Sequence, residues 1–509
     1  MKITLLGIDD ERLIRPLQLI ADLFFEECEV RLTTNEADEV PDYTIKIDLN
    51  QKLTKFLVSV SLRNLCTGIT YTETSQRTWP NPDENEKEAF KLIKREISRC
   101  FLLTLQHETG IIQKWGFLTG IRPTKLLHKE VQMGTPKEIA HQKLKDEYMI
   151  HTEKIDLMQQ IVERQLEMVP DLYDLKNEVS IYIGIPFCPT KCAYCTFPAF
   201  AINGKQGKVD SFLGGLHYEM RKVGEWLKEK GICITTIYYG GGTPTSITAE
   251  EMDLLYEEMY NSFPSVEKVR EITVEAGRPD TITPEKLEVL KKWKIDRISI
   301  NPQSYTQETL KAIGRHHTVE ETIDKFWLAR KSGMKNINMD LIIGLPGEGT
   351  EELSHSLTET EKLMPESLTV HTLSFKRASE MTRHKNRYKV ADRAEVEKMM
   401  DMASCWTIEH GYVPYYLYRQ KNILGNLENV GYASPGQESI YNIMIMEEMQ
   451  TIIGLGCGAS SKFVHPQTGK ITRFANPKDP KSYNEGYQHY TEEKIKMLDE
   501  LFSEMPVIK

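Results

Sequence analysis

VSIYIGIPFCPTKCAYC, residues 179–195, opens on an apolar run and closes on three cysteines, Cys188, Cys192 and Cys195. The run reads as a short strand. The cysteines follow it at once, in the spacing C-x3-C-x2-C, so three thiolates within eight residues can wrap one metal centre. A structural zinc site takes four ligands, commonly from paired C-x2-C units. An iron–sulfur cubane also takes four cysteines as a rule. Three cysteines leave one iron open, which suits a cluster that must bind a further ligand. The plainer readings are three small buried residues, or a zinc site completed by a distant histidine. Position favours chemistry, because βα barrels keep their active sites at the C-terminal ends of their strands.

Outward from this stretch, short apolar runs alternate with helical segments. The runs lie at 179–185, 234–239, 271–276, 297–302, 337–345 and 368–375, and amphipathic helices separate them, for example at 208–230 and 250–261. Five β-helix-β links in a row predict an α/β fold: a partial (β/α)6 TIM-like barrel over 178–375, with right-handed crossovers. Upstream, residues 1–170 read as an α+β extension. MKITLLGI (1–8), YTIKIDL (43–49) and FLVSVSLR (56–63) carry strand character, and 11–27 and 85–108 read as helices. GIRPTKLLHK (120–129) and further polar helices lead to a linker, MVPDLYDLKN (168–177). Past 376 the pattern is irregular, with a helix near 393–410 and a Gly-rich stretch at 454–458. Residues 376–509 are expected to form a smaller C-terminal domain covering the barrel mouth.

Each later strand ends on residues suited to a ligand. YYGGGTPT (238–245) ends the second, and its glycines permit positive φ and close backbone approach. Glu275 ends the third, where a carboxylate can receive ribose hydroxyls. Gln303 lies just beyond the fourth. Arg315 follows the helix ETLKAIG and can face a carboxylate through a bidentate pair. Asp340 sits inside the apolar fifth strand, where a charge needs a partner. The plain readings are a turn, a solvated acid, a solvated cation and a structural ion pair.

Together, IPFC, the three cysteines, GGGTPT, Glu275, RISINPQSY, LKAIGRHH and DLIIGLPG resemble the radical S-adenosylmethionine (SAM) superfamily. Within it they resemble the oxygen-independent coproporphyrinogen III oxidase (dehydrogenase) family. The likeness covers 178–375 and, through PGQESIYNIMIMEEMQTIIGLGCGASS, 430–461. It implies a [4Fe–4S] cluster on Cys188, Cys192 and Cys195, with an open iron chelated by the amino and carboxylate groups of SAM. One electron then cleaves the sulfonium to a 5′-deoxyadenosyl radical. The likeness also implies that Tyr182, Tyr194, Gly241, Gly242, Thr243, Glu275, Gln303, Arg315 and Asp340 bind SAM, some of them in a second molecule. For the two tyrosines the plain reading is core packing. The implied reaction is oxidative decarboxylation of coproporphyrinogen III propionates to the vinyls of protoporphyrinogen IX, with a flavodoxin or ferredoxin as electron donor.

The chain departs from that family at three places. Gly184 stands where the best-known enzyme has a histidine, and Phe197 where it has a fourth cysteine. Tyr441, Asn442 and Met446 stand where heme-chaperone relatives carry a His-Asn pair and a Trp, so the axial histidine of that motif is missing. The alternatives are a heme-binding or heme-trafficking protein, or another radical SAM reaction on a tetrapyrrole. Another ligand stays open, since His316, His317 and His371 remain near the barrel mouth; their plain reading is loop or surface residues.

Composition bounds the partners. The 509 residues hold 64 Lys+Arg and 74 Asp+Glu, a net charge of −10, so a globally basic nucleic-acid footprint is absent. No run of 18 apolar residues is present, which excludes a membrane-spanning helix, and the start meets acids too soon for a signal peptide. Nine cysteines without such a signal point to reduced thiols in the cytoplasm. The net negative field repels a tetra-anionic substrate, so cationic clamps are needed. Lys376, Arg377 and Arg419 are the candidates, against a plain reading of solvated charge. Cys233 reads as a small core residue, and Cys457 as close packing beneath the barrel or part of a loop near the substrate. GIRPTK places Arg122 and Lys125 near a substrate or a partner, against a plain reading as a helix start with Pro123 in its first turn.

Overall fold

Alternation of buried and exposed residues in the N-terminal segment produces a five-stranded sheet in the order β2-β1-β3-β4-β5. Its strands are β1 (Lys2–Leu6), β2 (Glu29–Leu32), β3 (Tyr43–Lys52), β4 (Lys55–Asn64) and β5 (Thr70–Thr78). β4 buries Phe56, Val58, Val60 and Leu62 and turns the residues between them outward, the period of two that a half-covered strand requires. Helices α1 (Ile14–Ala21) and α2 (Glu86–Thr109) cover the buried face, with Leu17, Ile20, Phe101 and Leu105 in one core with Ile45 and Val58. Then come α3 (Thr124–Gln132), directly after Pro123, α4 (Lys137–Tyr148) and α5 (Thr152–Met168).

The structure, a computed structural model, describes residues 1–25, 27–32, 40–52, 55–78, 86–120, 122–202, 208–376 and 378–503. The chain divides into two units, Met1–Gln159 and Gln160–Lys509. Among the described residues no helix is long and apolar enough to cross a membrane.

The second unit is built on β6 (Val179–Ile185), whose residues are buried on both faces except for Tyr182. Two short strands, β7 (Phe187–Cys188) and β8 (Phe200–Ala201), pair with each other beyond it. There follow α6 (Val209–Lys230), β9 (Ile234–Gly241), α7 (Ala249–Ser262), β10 (Glu271–Glu275), α8 (Pro284–Lys292) and β11 (Arg297–Ser299). Next are α9 (Gln307–Ala312), α10 (Val319–Lys331), β12 (Asn336–Ile343), α11 (Thr350–Leu363) and β13 (Ser367–Thr372). The helix boundaries obey local chemistry. Thr248 and Glu251 form a capping box at the start of α7. Gly231, at φ +67, closes α6 in the left-handed region.

The six expected strands lie side by side and parallel, as the alternating pattern predicts. The sheet also recruits the C-terminal part, which carries α12 (Glu380–Arg383), α13 (Arg393–Glu409), β14 (Val413–Tyr418), β15 (Asn429–Ala433) and α14 (Ile440–Glu447). β16 (Thr451–Gly456), β17 (Ser460–Val464), β18 (Ile471–Ala475) and α15 (Pro480–Phe502) complete it. The full order is β14-β15-β13-β12-β11-β10-β9-β6-β16-β17-β18. The Gly-rich stretch, read as irregular, is thus a strand: β16 runs parallel to β6, with Thr451 opposite Val179 and Gly456 opposite Gly184. Gly454 and Gly456 are needed there, because an added Cβ would meet backbone of Ser460 and Gly184 within 3.0 Å. The order runs from β14 to β18 without closing, so the barrel is partial.

A buried ionic knot ties α15 to this sheet. Lys494 pairs with Glu219 of α6, and both side chains are fully enclosed. Glu219 also accepts from Gly456 N at 2.7 Å, Tyr483 Oη at 2.8 Å and Asn476 Nδ2 at 2.9 Å. A buried carboxylate is tolerable only when satisfied in this way.

Candidate functional site

The cysteine loop leaves the end of β6 and is held from several sides. Gly242 N donates to Ile185 O and Thr243 N to Phe187 O, each at 2.7 Å, which fastens the Gly-rich turn to the loop. Gly242 has no room for a side chain, since a Cβ would stand 2.6 Å from Phe187 O, and Gly241 takes φ +105. On the other side Ala193 N donates to Ile313 O at 2.9 Å, and Ala193 O accepts from Met381 N at 3.0 Å. Thr243 Oγ1 lies 3.3 Å from Cys188 Sγ. Burial pushes the Cys188 thiol up to about 11, opposed by Thr243, and raises that of Cys195. Such thiols become thiolates when a metal centre supplies the compensating charge. Among the described residues no three Cys, His, Asp or Glu side chains converge as a single metal ion requires. A cubane instead takes each thiolate at a different iron.

The other expected residues lie at the same ends of the parallel strands. Glu275 ends β10 and accepts from Tyr238 Oη. Burial raises its pKa to about 7, with Tyr238 opposing and Asp340 adding to the rise. Tyr182 of β6 and Tyr238 of β9 stack at 6.1 Å between ring centroids, and Tyr441 of α14 lies 4.2 Å from Tyr238. Tyr194 lies against Cys192 and near Arg315, and burial holds its hydroxyl protonated. Gln303 has φ +66, an uncommon conformation for its residue type. It is pinned by Gln303 N to Asp340 O and by Ile342 N to Gln303 O, both 2.9 Å. Arg315 is 2% exposed and donates Nη2 to Gly277 O at 2.6 Å. Asp340 Oδ1 accepts from Asn338 Nδ2 at 2.8 Å, and its Oδ2 lies 3.5 Å from His371 Nε2.

Several of these groups lack hydrogen-bond partners although buried: Gln303 Oε1 and both Arg315 Nε and Nη1. Buried polar atoms are nearly always paired in a folded chain. A cradle of orphaned donors and acceptors beside a thiol loop and a side-chain-free glycine turn fits a polar cofactor with amino, carboxylate and hydroxyl groups.

Sequence reading missed two members of this cluster. Arg278 is buried, paired twice with Asp280 at 3.0 and 2.9 Å, and donates to Thr190 Oγ1 at 2.8 Å. Its Nη1 also reaches Cys192 Sγ at 4.0 Å. The only signal for it was its place three residues after Glu275. His317, expected on a loop surface, is buried near Arg315, Arg278 and Asp280, and burial brings its pKa down to about 3. His316 is exposed. His371 lies in β13, between Asp340 and Tyr418 Oη, which is 3.2 Å from Nδ1. Of the expected clamps, Arg419 is buried and donates to Asn426 Oδ1 at 2.5 Å, and Lys376 is half-buried over the Phe197 ring at 6.0 Å. Arg377 lies outside the described residues. Cys457 is buried, but Cys233, expected in the core, is exposed.

Comparison with known proteins agrees with this geometry. Residues 182–359 match the radical SAM superfamily model. The chain is 69% identical over 502 residues to the oxygen-independent coproporphyrinogen-III oxidase-like protein HemZ of Bacillus subtilis, covering 99% of both chains. It is 29% identical to the heme chaperone HemW of Haemophilus influenzae, over 64% of this chain and 80% of that one. Among solved structures it shares a fold with the coproporphyrinogen III oxidase HemN from Escherichia coli. There the TM-score is 0.50 at 20% identity, over 64% of this chain and 72% of the other. The cofactors of such a protein are a [4Fe–4S] cluster and SAM, and the thiol loop and polar cradle fit both. With a relative this similar along its whole length, the chain belongs to the oxygen-independent coproporphyrinogen-III oxidase-like family of radical SAM proteins.

Proposed function

We propose that the protein is a cytoplasmic radical SAM enzyme of porphyrin biosynthesis that converts propionate side chains of coproporphyrinogen III to vinyls. Each propionate would lose a hydrogen atom from its β-carbon, CO2 and one electron, the electron passing to a one-electron acceptor. Cluster and SAM, when bound, supply the radical that takes the hydrogen atom.

The residues divide the remaining work. Cys188, Cys192 and Cys195 hold the cluster, and Arg278 steadies the loop through Thr190. Gly241, Gly242 and Thr243 present backbone close to SAM. Tyr182, Tyr194, Glu275, Gln303, Arg315 and Asp340 orient it, with Tyr238 fixing the Glu275 carboxyl. His371 bridges Asp340 and Tyr418 through its two ring nitrogens and so positions both at the sheet's mouth. The carrying observation is Tyr441. By motif resemblance it stands where heme-chaperone relatives carry a histidine, and it is 5% exposed and packs face to face on Tyr238 beside Glu275. This supports a residue built into the reaction chamber over an axial ligand for stored heme.

The test is anaerobic. The cluster is reconstituted, and reductant, SAM and coproporphyrinogen III are added, with Cys192→Ala as control. Protoporphyrin formed only by the intact protein supports the proposal. 5′-Deoxyadenosine with no porphyrin product refutes it, and a stable heme absorption band on titration would then favour heme trafficking, the activity carried by the name of the HemW relatives.

A further inference from the structure

The segment after β13 is unlike the rest of this acidic chain. KRASEMTRHKNRYK, residues 376–389, holds six Lys or Arg (376, 377, 383, 385, 387 and 389) against one acid, Glu380. It is attached to the cysteine loop itself. Met381 N donates to Ala193 O at 3.0 Å, and the Met381 and Ala193 side chains share a small core with Ile313 and Leu373. Lys376 stands close enough to Cys195 for their charges to interact. Arg383, Arg387 and Lys389 are exposed, as is Lys191 inside the cysteine loop, and none of the four is ion-paired with a described residue. Phe197, two residues past Cys195, leaves 56% of its surface exposed under Lys376.

We infer that this basic segment is the docking surface for an acidic one-electron carrier protein that reduces the cluster. Exposed apolar surface close to charged side chains is common in protein interfaces. The need for it follows from charge. At −10 the chain as a whole repels an acidic donor, so association depends on a local field of opposite sign where the electron must enter. Exposed cations held against the cluster loop provide that field, and the Met381–Ala193 contact brings the bound carrier next to the cysteines. The carrier gives up one electron and is oxidised by one equivalent; the cluster accepts that electron, and no bond forms or breaks. The inference rests on the cluster alone and is independent of the tetrapyrrole substrate.

The test is stopped-flow reduction of the reconstituted protein by photoreduced bacterial flavodoxin. An uncharged small reductant, photoreduced 5-deazariboflavin, serves as the comparison. In Arg383→Glu/Arg387→Glu the flavodoxin rate constant falls about tenfold or more at low salt, within the range that steering supplies. The deazariboflavin rate stays unchanged, as does iron per chain. The wild-type flavodoxin rate also falls steeply with added salt. Should that pair lower iron loading, Arg387→Glu/Lys389→Glu carries the same reading farther from Met381. Equal flavodoxin rates in variant and wild type, or a wild-type rate indifferent to salt, overturn the inference. So does a variant that is reduced normally but binds coproporphyrin III more weakly, since the patch would then be a substrate clamp.

Discussion

Glu348, in the turn between β12 and α11, carries a stability penalty that depends on pH. Burial raises its pKa from 4.5 to about 7, opposed by hydrogen bonds from Ser304 and Thr309 and reinforced by Glu352. The sign follows from proton counting. Below about pH 4.5 the carboxyl is protonated in both folded and unfolded chains, and it contributes no difference. Between about 4.5 and 7 the unfolded chain releases this proton and the folded chain keeps it, so stability falls as pH rises. Above about 7 both states are ionised and the loss is complete, at about 3 kcal/mol from 1.36 kcal/mol per pH unit. Glu348→Gln keeps the shape and removes the titration. Relative to wild type, the variant therefore gains about 3 kcal/mol between about pH 4.5 and about pH 8. The assay is urea unfolding of the cluster-free protein under thiol-reducing conditions, tracking the transition of the second unit at several pH values. A difference between variant and wild type that stays flat across that range refutes the reasoning, because the carboxyl would then ionise in the fold as freely as in water.

Two further outcomes are expected. Lys494→Met leaves Glu219 charged and enclosed with its strongest partner gone, costing about 3–5 kcal/mol; adding Glu219→Gln recovers part of that loss, and additive single and double variants in denaturant melts would contradict it. Gly242→Ala must displace Phe187 O, 2.6 Å from the new Cβ, and with it the start of the cysteine loop. The variant reconstitutes with less iron per chain and binds SAM more weakly by equilibrium dialysis, whereas wild-type values for both would show that the loop yields.

The cysteine cluster was legible because its geometry is local. Three cysteines within eight residues need only the end of one strand to bring them together. Glu275 and the GGG turn were legible for a related reason: each ends an apolar run, and parallel strands deliver their C-terminal ends to one side. Arg278 and His317 were not, since a guanidinium or imidazole in a polar loop looks the same whether it is solvated or buried. Only the approach of Thr190, Asp280 and Arg315, from separate loops, decides that. Gln303 was located by motif, but its left-handed backbone and its bridge to Leu341 depend on β12 lying beside it.

What the sequence determined by itself was the set of elements with a strong period of their own, six buried strands and the helices between them, together with three cysteines spaced within eight residues. The tertiary structure decided which distant pieces join. TIIGLG (451–456) carries no alternation and two glycines, so nothing local marks it as a strand. It becomes one because the free edge of β6 needs hydrogen bonds and Gly184 opposite Gly456 leaves room for the backbones to meet. The same holds for Lys494, 275 residues from Glu219. A lone lysine in an amphipathic helix reads as solvated until the fold closes over it, because burial is a property of the neighbours and not of the residue.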